Sequence, residues 1–159
     1  MSRVNVLFVC LGNICRSPTA HGVFQKIVDD AGLSDRIAVD SCGTGDWHIG
    51  RAPDPRAQQA ALTAGYDLSQ LRARQVTPAD FEEFDYILAM DKANLRDLKR
   101  MCPDDYHGHL SLFLDYASGT TRTEVPDPYY GEDDGFTEVL ALVEDASRGL
   151  LDSIRQQWR

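Results

Sequence analysis

Apolar residues along this chain recur at two different spacings. The run VNVLFV at 4–9 is almost unbroken, β-branched and aromatic, too short for a helix, and stops where Gly12 and Asn13 supply turn-forming backbone. Beyond Ser17-Pro18 the spacing becomes helical, with Ala20, Val23, Phe24, Ile27 and Val28 on one side. Carried along the chain, this pattern predicts strand 4–10, helix 17–31, strand 36–41, a long loop and helix 54–64. It continues with strand 84–90, helix 91–100, a strand at about 108–112 and a closing helix 135–157. Strands alternating with helices argue for an α/β domain, a doubly wound, four-stranded parallel sheet with helices on both faces. At 159 residues, with no repeat, low-complexity stretch or linker-like shift in composition, the expectation is one domain over 1–159.

Charge narrows the partners. The chain carries 16 basic and 25 acidic residues, net −9, which suits neither nucleic acid nor an anionic membrane. From Glu124 to Asp145 the acids include Glu132, Asp133, Asp134, Glu138 and Glu144, with no Lys or Arg among them. Such a run either favours the protonated form of an Asp within it or simply complements the dipole of the helix that follows. Four cysteines, no signal peptide and no apolar run long enough to span a bilayer predict a monomer of the reducing cytoplasm, without membrane insertion. Cysteine spacing fits no zinc pattern, so no metal is expected.

The chemistry concentrates at 10–17, CLGNICRS, where the first strand empties into a helix. Loop N–H groups, the positive end of a helix dipole and the Arg16 guanidinium converge there, which suits a phosphate-sized dianion. The phosphate-binding loop is then Leu11, Gly12, Asn13, Ile14, Cys15 and Ser17 around Cys10 and Arg16. Pro18 belongs in the first helical turn and Ser17 is expected as the cap. A free thiol has a pKa of about 8.5, and beside cations at helix N-termini such thiols fall to roughly 3.5 to 7.5, so Cys10 is expected as a thiolate facing phosphorus. Arg16 binds two equatorial oxygens with its planar fork, and the Ser17 hydroxyl can donate to the sulfur. A single cysteine after an apolar strand is more often an inert core residue. The combination with a Gly-Asn turn, Arg16, Ser17 and an immediate helix start argues otherwise. A Walker-type loop would need a Gly-Lys-Ser/Thr ending, which is absent.

These residues resemble the low-molecular-weight protein tyrosine phosphatases. CLGNICRS at Cys10 to Ser17, DWHIGRAPDPRA from Asp46, ILAMDKANLRDL from Ile87 and VPDPYY from Val125 match that family in order and spacing over nearly the whole chain. The resemblance implies a flavodoxin-like fold, a phosphotyrosine hydrolase without metal or cofactor, and catalytic roles for Cys10 as nucleophile, Arg16 as phosphate clamp and Asp127 as general acid. Chemistry asks for such an acid independently, because a phenol of pKa about 10 leaves more readily when a proton arrives during bond cleavage. Pro126 and Pro128 stiffen the loop that carries Asp127. Tyrosine-phosphorylated proteins are the expected substrates, and inorganic phosphate and related oxyanions the expected inhibitors.

By the same resemblance Trp47, Tyr129 and Tyr130 are candidates for the walls of a slot deep enough for a phosphorylated phenol, Tyr129 and Tyr130 being possible phosphorylation sites as well. Each can equally be an aromatic that anchors its loop. Cys15 either captures an oxidised Cys10 as a disulfide or only fills space behind the loop. Asn13 is expected to brace the loop, although Gln70 stands where animal members tend to carry a His. Asp91 follows the ILAM strand at another strand end. Two relatives on the same fold are alternatives. Protein-arginine phosphatases tend to carry Thr where this chain has Ile14, and arsenate reductases need closely placed extra cysteines, whereas Cys42 and Cys102 form no close pair. A phosphate-reading module would have no use for both Cys10 and Asp127, and a Cys-phosphorylated carrier would need neither Arg16 nor the acid.

Overall fold

The computed structural model describes residues 3–129 and 134–158. Its elements are β1 (Val4–Cys10), α1 (Arg16–Asp30), β2 (Ile37–Gly43), α2 (Pro55–Thr63), α3 (Asp80–Glu83), β3 (Tyr86–Ala89), α4 (Lys92–Met101), β4 (His109–Leu112), a 3-10 turn (Phe113–Tyr116) and α5 (Asp134–Gln156). The four strands are parallel, in the order β2-β1-β3-β4. This is the doubly wound α/β arrangement expected from the pattern, in the flavodoxin-like form that the resemblance implies.

Alternation along β1 explains the layers. Val6, Phe8 and Cys10 enter one core with Val23, Phe24 and Val28 of α1 and Val143 and Leu150 of α5. Leu7 and Val9 enter the other with Phe81, Phe84 and Leu98. A strand buried on both faces reads as a continuous apolar run, which is why no polar residue interrupts Val6 to Cys10. Phe8 sits at the centre, edge-on to Phe24 at 5.7 Å and to Phe113 at 4.9 Å. Burying a side chain of this size contributes roughly 2 to 3 kcal/mol.

Element ends follow local chemistry. The Asp54 carboxylate caps α2 by accepting from Arg56 N, with Pro55 opening the helix, and Asp91 caps α4 by accepting from Asn94 N. β2 runs two residues beyond its expected end because Cys42 and Gly43 pair with Val9 and Cys10. The single turns α3 and Phe113–Tyr116 are too short to leave a periodic signal. Gly149, in the middle of α5, lies where any Cβ would run into the Tyr116 carbonyl. It lets α5 lie directly on the 3-10 turn, at a cost of about 1 kcal/mol in helix propensity.

The topology places the site. β1 is paired with β2 on one side and β3 on the other, so the connections leaving β1 and β3 diverge and open a crevice at their carboxyl ends. Cys10 ends β1 and Asp91 follows β3 into that crevice.

Candidate active site

The loop after β1 curls around the Cys10 sulfur. Asn13 N–H points at Sγ from 3.3 Å and the Ser17 hydroxyl lies 3.0 Å away. Asn13 takes the left-handed conformation, φ 57°, which Asn tolerates better than most residues. Its amide nitrogen donates to Ser17 Oγ at 2.7 Å, and its Oδ1 accepts from Arg74 N at 3.1 Å. With the Ser17 oxygen accepting from Asn13, its proton has two acceptors in reach, the Cys10 sulfur at 3.0 Å and the Cys42 carbonyl at 3.4 Å, of which the sulfur is the nearer. Bracing by Asn13 is thus realised through Ser17 and the Arg74 backbone.

Ser17 is not the cap expected from the sequence. α1 begins at Arg16, Cys15 holds the N-cap position and no side chain caps the first turn. The Ser17 hydroxyl is turned instead toward Cys10 and Asn13. The helix start therefore keeps its amides without a side-chain acceptor, as an anion site requires. From the β2 side, Thr44 N and Gly45 N donate to the carbonyls of Cys10 and Leu11, both at 2.9 Å. Gly43 permits this close approach, since a Cβ there would stand 2.7 Å from the Leu11 carbonyl.

Arg16 is almost completely buried, its side chain 4 % exposed. Nη1 donates to Asp91 Oδ2 at 2.7 Å and to the Val125 carbonyl at 3.1 Å, while Nη2 lies 3.7 Å from Asp127 Oδ2. Burial opposes the charge, but Cys10, Asp91 and Asp127 outweigh it and hold the guanidinium above its ordinary pKa. Asp127 Oδ1 accepts from Tyr129 N at 3.0 Å. Cys15 is driven the other way. Burial first, then the charges of Asp54, Cys10 and Asp127, push its thiol well up, with Arg56 opposing.

Cys10, Leu11, Gly12, Ile14, Cys15, Arg16, Trp47, Asp127 and Tyr129 line one cavity of about 340 Å³. Asn13 and Ser17 stand behind its floor, both buried. Trp47 and Tyr129 are exposed at the rim, where slot walls would be. Tyr130 lies outside the described residues, as do Glu132, Asp133 and the side chain of Asp134. The other acids of that run are engaged elsewhere. Glu124 accepts from Lys92 N, Glu138 pairs with Arg122, Glu144 accepts from Tyr66 and Asp145 accepts from Ser118 and Gly119. Cys42 and Cys102 are apart from the cavity lining, and burial pushes the Cys42 thiol up.

His48 also lines the cavity and went unnoticed in the sequence. Its ring centroid is 6.3 Å from that of Tyr129, and a Cβ on Gly12 would meet its ring. Nothing in the local pattern marks it, because its place depends on the long loop folding back over residue 12. A larger cleft of about 780 Å³ opens at the amino end of the sheet among Arg3, Tyr86, Tyr106 and Trp158. No cysteine lines it, and it lies at the wrong end of the strands for a site of this fold.

A family model described as low molecular weight phosphotyrosine protein phosphatase matches residues 5–159. The chain is 47% identical over 152 residues to a low molecular weight phosphotyrosine protein phosphatase of Schizosaccharomyces pombe, covering 95% of this chain and 97% of that relative. A crystal structure of a protein tyrosine phosphatase from Entamoeba histolytica, with Hepes in its active site, superposes with a TM-score of 0.94. Identity is 38%, over 98% of this chain and 99% of that one. A Drosophila arginine phosphatase is also similar, with 31% identity and a TM-score of 0.87 over 94% of this chain and 96% of that one.

Proposed function

Because the chain belongs to the low molecular weight phosphotyrosine protein phosphatase family and is a protein-tyrosine phosphatase, we propose that it hydrolyses protein phosphotyrosine through a cysteinyl-phosphate on Cys10. One observation carries this reading: the Cys10 sulfur, the Arg16 guanidinium and the Asp127 carboxyl surround a single cavity. In the first step the sulfur attacks phosphorus in line with the phenolic oxygen. The P–O bond breaks as Asp127 gives that oxygen its proton, leaving phosphate on sulfur. In the second step water passes a proton to the anionic Asp127 and attacks phosphorus. The S–P bond breaks, and thiolate and inorganic phosphate are released. Arg16 and the loop amides stabilise the equatorial charge in both steps, and Ser17 donates to the departing sulfur. Side chains supply nucleophile, acid and charge stabilisation, so no step calls for a metal.

Ile14 gives the cavity an apolar wall that favours a phenyl ring over the guanidine of an arginine phosphatase substrate. Trp47 and Tyr129 flank the ring, and the likeness of the VPDPYY stretch makes Tyr130 a further candidate for that role by sequence alone. The chain acts as one domain over 1–159 on tyrosine-phosphorylated proteins, and inorganic phosphate and vanadate compete for the loop. No helix among the described residues is long and apolar enough to cross a membrane. A nucleophile that must stay a free thiol suits the reducing cytoplasm.

Cys10→Ser should abolish turnover of aryl phosphates while retaining phosphate binding. Asp127→Ala should lower kcat/KM by roughly 10² to 10⁴ for phenyl phosphate and far less for esters of more acidic phenols. Activity should survive chelators. Equal slowing by Asp127→Ala across the substituted esters, or turnover by Cys10→Ser, would defeat the mechanism.

A further inference from the structure

Asp127 enters the cavity on a loop tied to different elements on its two sides. Upstream, Val125 N–H donates to the Met90 carbonyl at 2.8 Å and the Val125 carbonyl accepts from Arg16. Downstream, the Tyr129 carbonyl accepts from Arg56 Nη2 at 2.9 Å, from the first turn of α2. Arg56 is itself held by a two-point fork, with Nε 3.1 Å from Asp54 Oδ1 and Nη2 3.0 Å from Asp54 Oδ2. The Asp54 carboxylate is buried and also accepts from Arg56 N, and Asp54 N–H donates to the Ile14 carbonyl at 2.8 Å. One ion pair therefore spans from the floor of the cavity to the loop that carries Asp127. The Arg56 guanidinium also lies over the Phe136 ring, 4.7 Å from its centroid, which limits its freedom to swing away.

We propose that Arg56 is a positioning residue for proton transfer, holding the Tyr129 backbone so that Asp127 presents Oδ2 to the leaving group. The assignment rests on Asp127 being the acid. Tyr129 N–H occupies Asp127 Oδ1, and a protonated carboxyl oxygen is a poor acceptor, so the proton of the neutral acid resides on Oδ2. Oδ2 is also the oxygen turned toward Arg16, 3.7 Å from Nη2, and so toward the residue proposed to hold the phosphoryl group. Releasing the Tyr129 carbonyl lets its N–H drift from Oδ1 and removes that selection. Displacement of a reacting group by about 1 Å can cost on the order of 10² in rate.

The cysteinyl-phosphate is common to all substrates, so leaving-group dependence is read in kcat/KM. For Arg56→Met, the loss should be about twofold for nitrophenyl phosphate and about tenfold or more for phenyl phosphate, with competitive inhibition by inorganic phosphate changed less than about twofold. Asp127→Ala should steepen the dependence further, and the double variant should be no steeper than Asp127→Ala alone. Arg56→Lys keeps a charge opposite Asp54 but lacks the fork, and should steepen it too. It carries the test should Arg56→Met fail to fold. A uniform loss in the Arg56 variants beside a steep Asp127→Ala, or a double variant steeper than Asp127→Ala, overturns the role of Arg56. A flat Asp127→Ala overturns the acid assignment and this inference with it.

Discussion

Replacing Asp91 removes the carboxylate on which the buried Arg16 rests. The two groups meet at 2.7 Å, with side chains 22 % and 4 % exposed respectively. Breaking a buried ion pair from one side costs about 3 to 5 kcal/mol, because the remaining charge is stranded. Here the lower part of that range applies. Asp91 is partly solvated, and Arg16 keeps the Val125 carbonyl and the neighbouring Asp127. Asp91 also accepts from Asn94 N at 2.7 Å, and a cap of this kind contributes about 1 kcal/mol. Asp91→Ala loses both interactions, for a total of about 4 kcal/mol. Asp91→Asn has one carbonyl oxygen in place of the two that serve Asn94 N and Arg16, so it keeps the cap or an acceptor for Arg16 but not both, and should cost about 2 to 3 kcal/mol. For a chain of this length each kcal/mol shifts Tm by roughly 2 to 4 °C, so the alanine variant should melt roughly 10 °C lower and the asparagine variant roughly 5 °C lower. Urea unfolding followed by circular dichroism gives the free energies directly. A loss below about 1 kcal/mol for Asp91→Ala would refute the stranded-charge reasoning.

Two further outcomes are expected. The His21 ring, half-buried beside Ser41 with Nδ1 3.0 Å from its hydroxyl, is held below the ordinary histidine pKa by burial, with Arg74 adding to the effect and Asp40 opposing it. The unfolded chain then binds the proton more readily. The contribution is fully present above about pH 6.5 and is lost as pH falls through the folded-state value. Between pH 7.5 and pH 5.5 the urea midpoint should therefore drop less in His21→Gln than in wild type; an identical drop excludes the histidine as its source. Cys15 shares the cavity with Cys10 as a thiol that burial and Asp54 keep protonated. If it captures a Cys10 sulfenic acid as a disulfide with release of water, Cys15→Ser should regain less activity than wild type after peroxide and then reductant. Equal recovery leaves Cys15 a packing residue only.

Most of the fold was legible because its signals are local. Val4–Cys10 reads as a buried strand from its own residues, Pro55 and Pro18 mark first helical turns, and α1, α4 and α5 carry their periodicity in single segments. Where expectation and structure part, a distant partner decides. β2 continues to Gly43 because β1 offers ladder positions there, and Ser17 gives up a cap for contacts with Cys10 and Asn13. α3 and the 3-10 turn are single turns dictated by packing.

The sequence by itself determined the reactive unit. Sulfur, turn, guanidinium, hydroxyl and helix start are contiguous from Cys10 to Ser17, so strand and helix rules alone bring them to one point. Tertiary structure decided what holds that unit and what reaches it. Arg74 meets Asn13 across 61 positions, Arg56 meets Tyr129 across 73, Arg16 meets Asp91 across 75 and Val125 across 109. Such contacts follow from the order of strands in the sheet and from where each loop leaves it. The pattern of any one segment is the same whichever neighbour it finally meets, so these pairings are set only when the strands assemble.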